Sequence, residues 1–180
     1  MRVGVSIGDS LSALYAVIGT LLALQERNHS GKGQEIDVAL YESVFAMMES
    51  LLPEFDASGQ VRQPSGSALP GITPSNAYRC LGGDYVLIAG NGDSIFKRLM
   101  GVIGREDLGN DESLAHNDGR SEQAEMIDAA IQIWAEERSR DTILEALDAA
   151  RVPAGYPYTA EDNAHDPHYL AREMIQTFIR

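Results

Sequence analysis

A single cysteine, Cys80, stands among the 180 residues, so the chain cannot form an internal disulfide, and no Cys/His spacing resembles a zinc site. Both absences point to a reducing, cytoplasmic setting. Positive charge is scarce as well: 14 Lys+Arg face 27 Asp+Glu, for a formal charge of -13. Such a field repels phosphate backbones and anionic lipid surfaces, which argues against nucleic acid and membrane as partners. It would also repel an anionic ligand, so a site for one must gather its cations locally or borrow them from another segment. The opening MRVGVSIGDS lacks the basic-then-apolar layout of a signal peptide. Polar residues are expected to interrupt the longest apolar stretches before they could span a bilayer. His165 and His168 stand three apart, but no third ligand accompanies them, and no metal is expected. The chain shows no internal repeat and no low-complexity tract.

What is present is enough apolar residue, 44%, to build a core. From Ser10 to Arg27, Leu11, Leu14, Ile18, Leu21, Leu22 and Leu24 recur near helical spacing, with Asp9 placed to cap the start and Gly19 marking a close approach. Asn28 to Gly33 carries the glycines that stop a helix. Alternation over Glu35 to Leu40 predicts a strand, and Tyr41 to Phe55 a second apolar helix in which Met47 and Met48 pack. Between Asp56 and Ser75 the composition turns to Gly, Ser, Pro and Gln, a loop with a domain boundary near residue 70. Asn76 to Cys80 and Tyr85 to Ala89 flank Leu81-Gly82-Gly83-Asp84 as a hairpin. Helices are predicted at Asp93 to Ile103, Ser121 to Glu137, with Trp134 in the core, and Arg140 to Ala150. Thr159 to Asp162 forms a capping box, and Asp166-Pro167 opens a last helix. The strand-like Val3-Gly4-Val5 and the apolar run ending at Phe178-Ile179-Arg180 both look for partners outside the given residues.

Gly8-Asp9-Ser10 puts a carboxylate at the mouth of the first helix, behind a residue small enough to admit a ligand. Two roles fit it, a plain helix cap or a nucleophile whose developing charge the helix amides stabilise. Gly90-Asn91-Gly92-Asp93 is similarly either an anion-binding nest or, as preferred, a turn with an N-cap. Lys32 and Arg79 are the nearest cations, read as solvated surface charges.

Four segments together resemble the CaiB/BaiF group, the family III CoA-transferases. They are Val5 to Ser10, Gly31 to Leu40, the stretch from Tyr78-Arg79-Cys80 to Ile88-Ala89-Gly90-Asn91, and Val152 to Gly155 with Asp166-Pro167-His168. Within the family the text is most similar to members acting on small dicarboxylates of the malate or citramalate type. The resemblance implies an internal fragment of α/β class. Residues 1–70 would be part of a Rossmann-like CoA-transferase large domain, with the catalytic aspartate and lid loop. Residues 71–180 would be a small α+β domain and the start of the return segment. It implies that Asp9 is catalytic, and that the loop with Ser65, Gly66 and Gly71 is a lid over the substrate, although an ordinary interdomain linker explains that loop equally well. It also implies acyl-CoA and small carboxylic acids as substrates, no permanently bound cofactor, CoA-binding residues mostly outside this chain, and an interlocked homodimer at full length.

Two further readings remain beside the transferase. A racemase of the α-methylacyl-CoA type would use the same aspartate as acid/base, with a partner histidine upstream, but is expected to be Gly-rich where this chain has Ser10-Leu11-Ser12-Ala13. A non-catalytic assembly partner would dock its helices onto another chain.

Overall fold

Apolar spacing from Leu11 to Leu24 winds into one long helix, α1 (Ile7–Ser30), which stops where Gly31 takes a φ of 71° and its N–H bonds the Arg27 carbonyl at 2.8 Å. The structure, a computed structural model, describes residues 4–178 and divides into two units, Met1–Gln63 and Pro64–Arg180. The division falls upstream of the boundary expected near residue 70, so the loop holding Ser65, Gly66 and Gly71 counts with the second unit.

In the first unit Asp9 is not the cap. Ser6 holds the N-cap position and Asp9 lies inside the first turn. Gly19 does mark a close approach, for a Cβ there would stand 3.0 Å from Ile36 Cγ2. The expected strand at Glu35 to Leu40 is absent: residues 32–39 pair with no other segment among the described residues. Alternation alone makes no strand without a neighbour to complete its hydrogen bonds. The expected helix from Tyr41 to Phe55 is two, α2 (Leu40–Phe45) and α3 (Leu51–Ser58), parted around Glu49 at φ 52°. Met47 and Met48 fall in that break and are exposed. The expectation that polar residues interrupt every apolar stretch also fails for α1, whose 24 residues are long and apolar enough to cross a bilayer. Val3 lies outside the described residues, and Gly4-Val5 forms a bend.

The second unit is built on a three-stranded antiparallel sheet, β1 (Ser75–Arg79), β2 (Tyr85–Ala89) and, later in the chain, β3 (Ala154–Gly155), in the order β1-β2-β3. Gly82 and Gly83, both at positive φ, turn β1 into β2 with Arg79 opposite Tyr85. Val86 and Ile88 of β2 point inward while Tyr85 and Leu87 face out. The helices α4 (Asp93–Val102), α5 (Glu106–Gly109), α6 (Asn117–Glu122), α7 (Ala124–Glu136) and α8 (Arg140–Ala149) follow. The core joins Phe96, Leu99 and Met100 of α4 to Ile127, Ile131 and Trp134 of α7 and Ile143 and Leu147 of α8, at the three- and four-residue spacing of amphipathic helices. The helix expected from Ser121 to Glu137 is divided at Gln123. Past β3, Thr159 and Asp162 form the expected capping box of α9 (Ala160–His165), and Asp166 caps α10 (Pro167–Ala171). Among the described residues no helix follows Ala171: Phe178 is exposed, and Ile179-Arg180 lie outside the described residues.

Candidate functional site

Asp9 is the third residue of α1 and is exposed. The first amides of a helix have no intrahelical acceptor. Here Ile7 N–H bonds Val5 O at 2.9 Å and Ser10 N–H bonds Ser6 O at 3.1 Å, and the amides of Gly8 and Asp9 have no partner among the described residues. Ser12 Oγ turns back on the Gly8 carbonyl at 2.8 Å and takes no part in that face. A Cβ on Gly8 would meet Val44 Cγ2 at an ordinary 3.6 Å, so its smallness is not demanded by internal packing. A carboxylate beside two open amides at a helix N-terminus can attack a carbonyl and have the resulting oxyanion held. Further along the same helix, a cavity of about 290 Å³ is lined by Tyr15, Gly19, Ile36 and Ser43.

The loop with Ser65, Gly66 and Gly71 belongs to the second unit. Gly66 and Gly71 hold φ of 67° and 77° with nothing within 4 Å of a would-be Cβ, so the backbone conformation, not space, calls for glycine at both. Ser67 Oγ reaches Asn76 Oδ1 at 2.6 Å, and Asn76 Nδ2 continues to Asp128 at 2.9 Å. The Tyr78 hydroxyl donates to the other Asp128 oxygen at 2.6 Å, and burial, then Asp128, pushes that phenol far above its ordinary range. The loop tip is thereby tied to α7.

Gly92 is the N-cap of α4, with no side-chain bond to the helix amides, Asp93 is already its first residue, and the polar groups of Asn91 and Asp93 serve Arg120. Its buried guanidinium donates to Asn91 O, Asp93 Oδ1, Thr73 O, Leu114 O and Ala115 O. Arg120 first and His116 second hold the Asp93 carboxyl below the usual carboxylate range. Asn117, on the same helix, accepts from Thr73 N–H at 3.1 Å and donates to Gly71 O at 2.7 Å. Neither Asn117 nor Arg120 was legible as an anchor of this loop, since the polar stretch Asn117 to Glu122 reads as a solvated surface. The signal was the small Gly119 between them, where a Cβ would stand 1.8 Å from Ser113 O. Lys32 and Arg79 are exposed, and the Arg79 backbone is bonded on both sides by Gln132. His165 and His168 lie on different helices, and among the described residues no group of three or more His, Cys, Asp or Glu is placed to hold a metal.

A family model described as CoA-transferase family III matches residues 1–180. The succinyl-CoA–D-citramalate CoA-transferase of Chloroflexus aurantiacus is 40% identical over 174 residues, which are 97% of this chain and 43% of that protein. The beta subunit of the succinyl-CoA–L-malate CoA-transferase of the same organism is 32% identical, with 94% of this chain and 42% of that protein covered. A crystal structure of a CaiB/BaiF family protein from Brucella suis superposes with a TM-score of 0.78 at 32% identity, covering 97% of this chain and 46% of that one. The chain thus spans less than half the length of the relatives it matches.

Proposed function

The chain belongs to CoA-transferase family III, and on that premise we propose that it supplies the nucleophile of an enzyme moving CoA between small carboxylic acids, with a succinyl-CoA type donor. Asp9 is the nucleophile. Its carboxylate attacks the donor thioester carbonyl, the C–S bond breaks, and a mixed anhydride and CoA thiolate result. The thiolate attacks the aspartyl carbonyl of the anhydride, which releases the donor acid and leaves an aspartyl-CoA thioester. The acceptor carboxylate then displaces the thiolate, and the thiolate attacks the acceptor carbonyl to give the new acyl-CoA and free Asp9. Each attack passes through a tetrahedral oxyanion, for which the amides of Gly8 and Asp9 are the available donors. The observation that carries the reading is the place of Asp9 in the first turn of α1, beside those amides.

The loop from Ser65 to Gly71 is a substrate lid. The remaining length of a relative supplies most of the CoA site, which answers the scarcity of cations here, and the assembled enzyme is an interlocked homodimer of the cytoplasm with no permanently bound cofactor. The similarity to the Brucella suis structure extends over 97% of the chain, which favours α1 as an element of that fold over a membrane span.

The test is peptide mass spectrometry after mixing the chain with succinyl-CoA, in the presence of polypeptide supplying the rest of a relative's length, and quenching with hydroxylamine. A hydroxamate on the Asp9 peptide, absent in Asp9→Asn, is expected. A folded, complemented protein that gives no adduct defeats the reading, and solvent deuterium entering the carbon next to the thioester would put a racemase in its place.

A further inference from the structure

The chain from Pro64 to Pro74 changes character at Gly71. Ser65, Gly66, Ser67, Leu69, Pro70 and Gly71 are exposed, whereas Thr73 and Pro74 are buried. The buried side is fastened to the framework twice: Arg120 Nε donates to Thr73 O at 3.1 Å, and Gly90 N–H to Pro74 O at 2.9 Å. The exposed side is also tied twice, but through exposed residues. Ser67 is tied to Asn76, and Leu69 N–H bonds Ser75 O at 3.1 Å.

Asn117 spans the junction. Its half-buried carboxamide takes Thr73 N–H at 3.1 Å on the fixed side and gives its own N–H to Gly71 O at 2.7 Å on the other. Gly71, at φ 77° with open space around it, is where the backbone can rotate. Rotation there must break the bond from Asn117 Nδ2 together with those of Ser67 and Leu69, while the bonds at Thr73 and Pro74 can stay. Because Gly119 lets α6 approach the carbonyl of Ser113, Asn117 and Arg120 reach the loop from one rigid helix turn. An amide bridging a fixed residue and a pivot is a hinge latch, and its strength sets how often the loop swings.

We propose that Asn117 is the positioning residue of the lid: by clamping the Gly71 carbonyl to the fixed Thr73 it holds the loop Ser65 to Gly71 in place. The proposal rests on the reading of that loop as the lid. Asn117 need not touch substrate. It acts through the loop, so its loss should loosen the lid while leaving the nucleophile in place.

Asn117→Asp separates the two halves of the clamp, since it keeps an acceptor for Thr73 N–H and loses the donor to Gly71. Hydrogen exchange on the full chain is expected to show the amides of Ala68, Leu69 and Ile72 opening roughly five- to tenfold faster in this variant, the effect of one lost hydrogen bond. Thr73 and the core amides of Val86, Ile88 and Ile131 should exchange as in the wild type. Loop amides that keep their wild-type rates, or that accelerate only together with the core, overturn the clamp. With the rest of a relative's length supplied, the ratio of succinyl-CoA hydrolysed to CoA transferred should rise severalfold in Asn117→Asp. An equal fall in both, with the loop demonstrably looser, overturns the lid assignment. The exchange arm needs no turnover, so a failure of the Asp9 chemistry, read by the hydroxamate, is told apart from a failure of the clamp.

Discussion

Replacing Arg120 by methionine should cost the second unit about 3–5 kcal/mol, the range for removing one partner of a buried charged network. The figure follows from what the side chain touches. Arg120 is fully buried, and its guanidinium donates to Thr73 O at 3.1 Å, Leu114 O and Ala115 O each at 3.0 Å, Asn91 O at 2.6 Å and Asp93 Oδ1 at 2.8 Å, while lying over the Phe96 ring at 5.0 Å. Methionine restores volume but no donor, and a buried carbonyl left without one costs about 1–3 kcal/mol. Partial rehydration keeps the total well below the sum. Against a domain stability of roughly 5–15 kcal/mol the loss is large, and it corresponds to a fall in Tm of about 10–20 °C. Trp134 reports on it directly: it is the chain's one tryptophan, it lies in the core of the second unit, and it carries Arg138 over its ring at 5.1 Å. Urea and thermal unfolding followed by its fluorescence give the comparison. Arg140→Met is the control, because Arg140 is partly exposed, lies over the Tyr156 ring at 4.2 Å and has no hydrogen-bond partner for its Nε among the described residues; it should lose less than about 1 kcal/mol. The reasoning is refuted if Arg120→Met stays within about 1 kcal/mol of wild type, or if the two arginines prove equally costly.

Acid should weaken the second unit in a defined window. Asp93 is held low by Arg120 and then His116, Asp162 by the Thr159 side chain and backbone, and Asp166 by Tyr158. A carboxyl depressed in the folded state contributes stability above its unfolded value, about 4, and loses it as pH falls through the folded value. Relief of the -13 charge acts oppositely on the way down to the pI of about 4.6, so the decline should show below that point and be shallower in Asp93→Asn. Denaturation midpoints from pH 7 to 3 measure this, and identical acid limbs would contradict it. Cys80 is buried, and burial, then Asp84, pushes its thiol up. It should resist a disulfide reagent in the native protein and react on unfolding; labelling at the rate of an exposed thiol would show the site to be open.

What the sequence revealed depended on where each element finds its partner. The hairpin, α4 and α8 matched their expected spans to within a residue, because a glycine turn and three- and four-residue spacing decide them locally and their apolar faces meet inside the second unit. The capping box at Thr159 and the Asp166-Pro167 start were legible for the same reason. Ile36, Val38 and Leu40 alternate as a strand does, but alternation records only that one face wants cover, and no strand lies beside them among the described residues. Asn117 and Arg120 were hard to see for the opposite reason: most of their partners are backbone groups, several of them far along the chain, and these leave no trace in side-chain type.

The first unit shows how far the motif proposed here as catalytic can be separated from its geometry. Gly8-Asp9-Ser10 specifies a carboxylate, a small neighbour and a helix start, yet the first turn is the part of a helix that frays first. What holds it is the body of α1, where Leu14, Val17, Ile18, Leu21 and Leu22 are all exposed. At roughly 1.5–3 kcal/mol for each such side chain taken from fully exposed to fully buried, and with each of the five still a little over half exposed, covering this face is worth roughly 4–9 kcal/mol, comparable to the stability of a whole domain. Packing of an apolar face, more than intrinsic propensity, keeps a protein helix formed. The aim of Asp9 and of the Gly8 and Asp9 amides is therefore a property of α1 once covered, and any chemistry at Asp9 should depend on that cover even though no covering residue need touch the carboxylate.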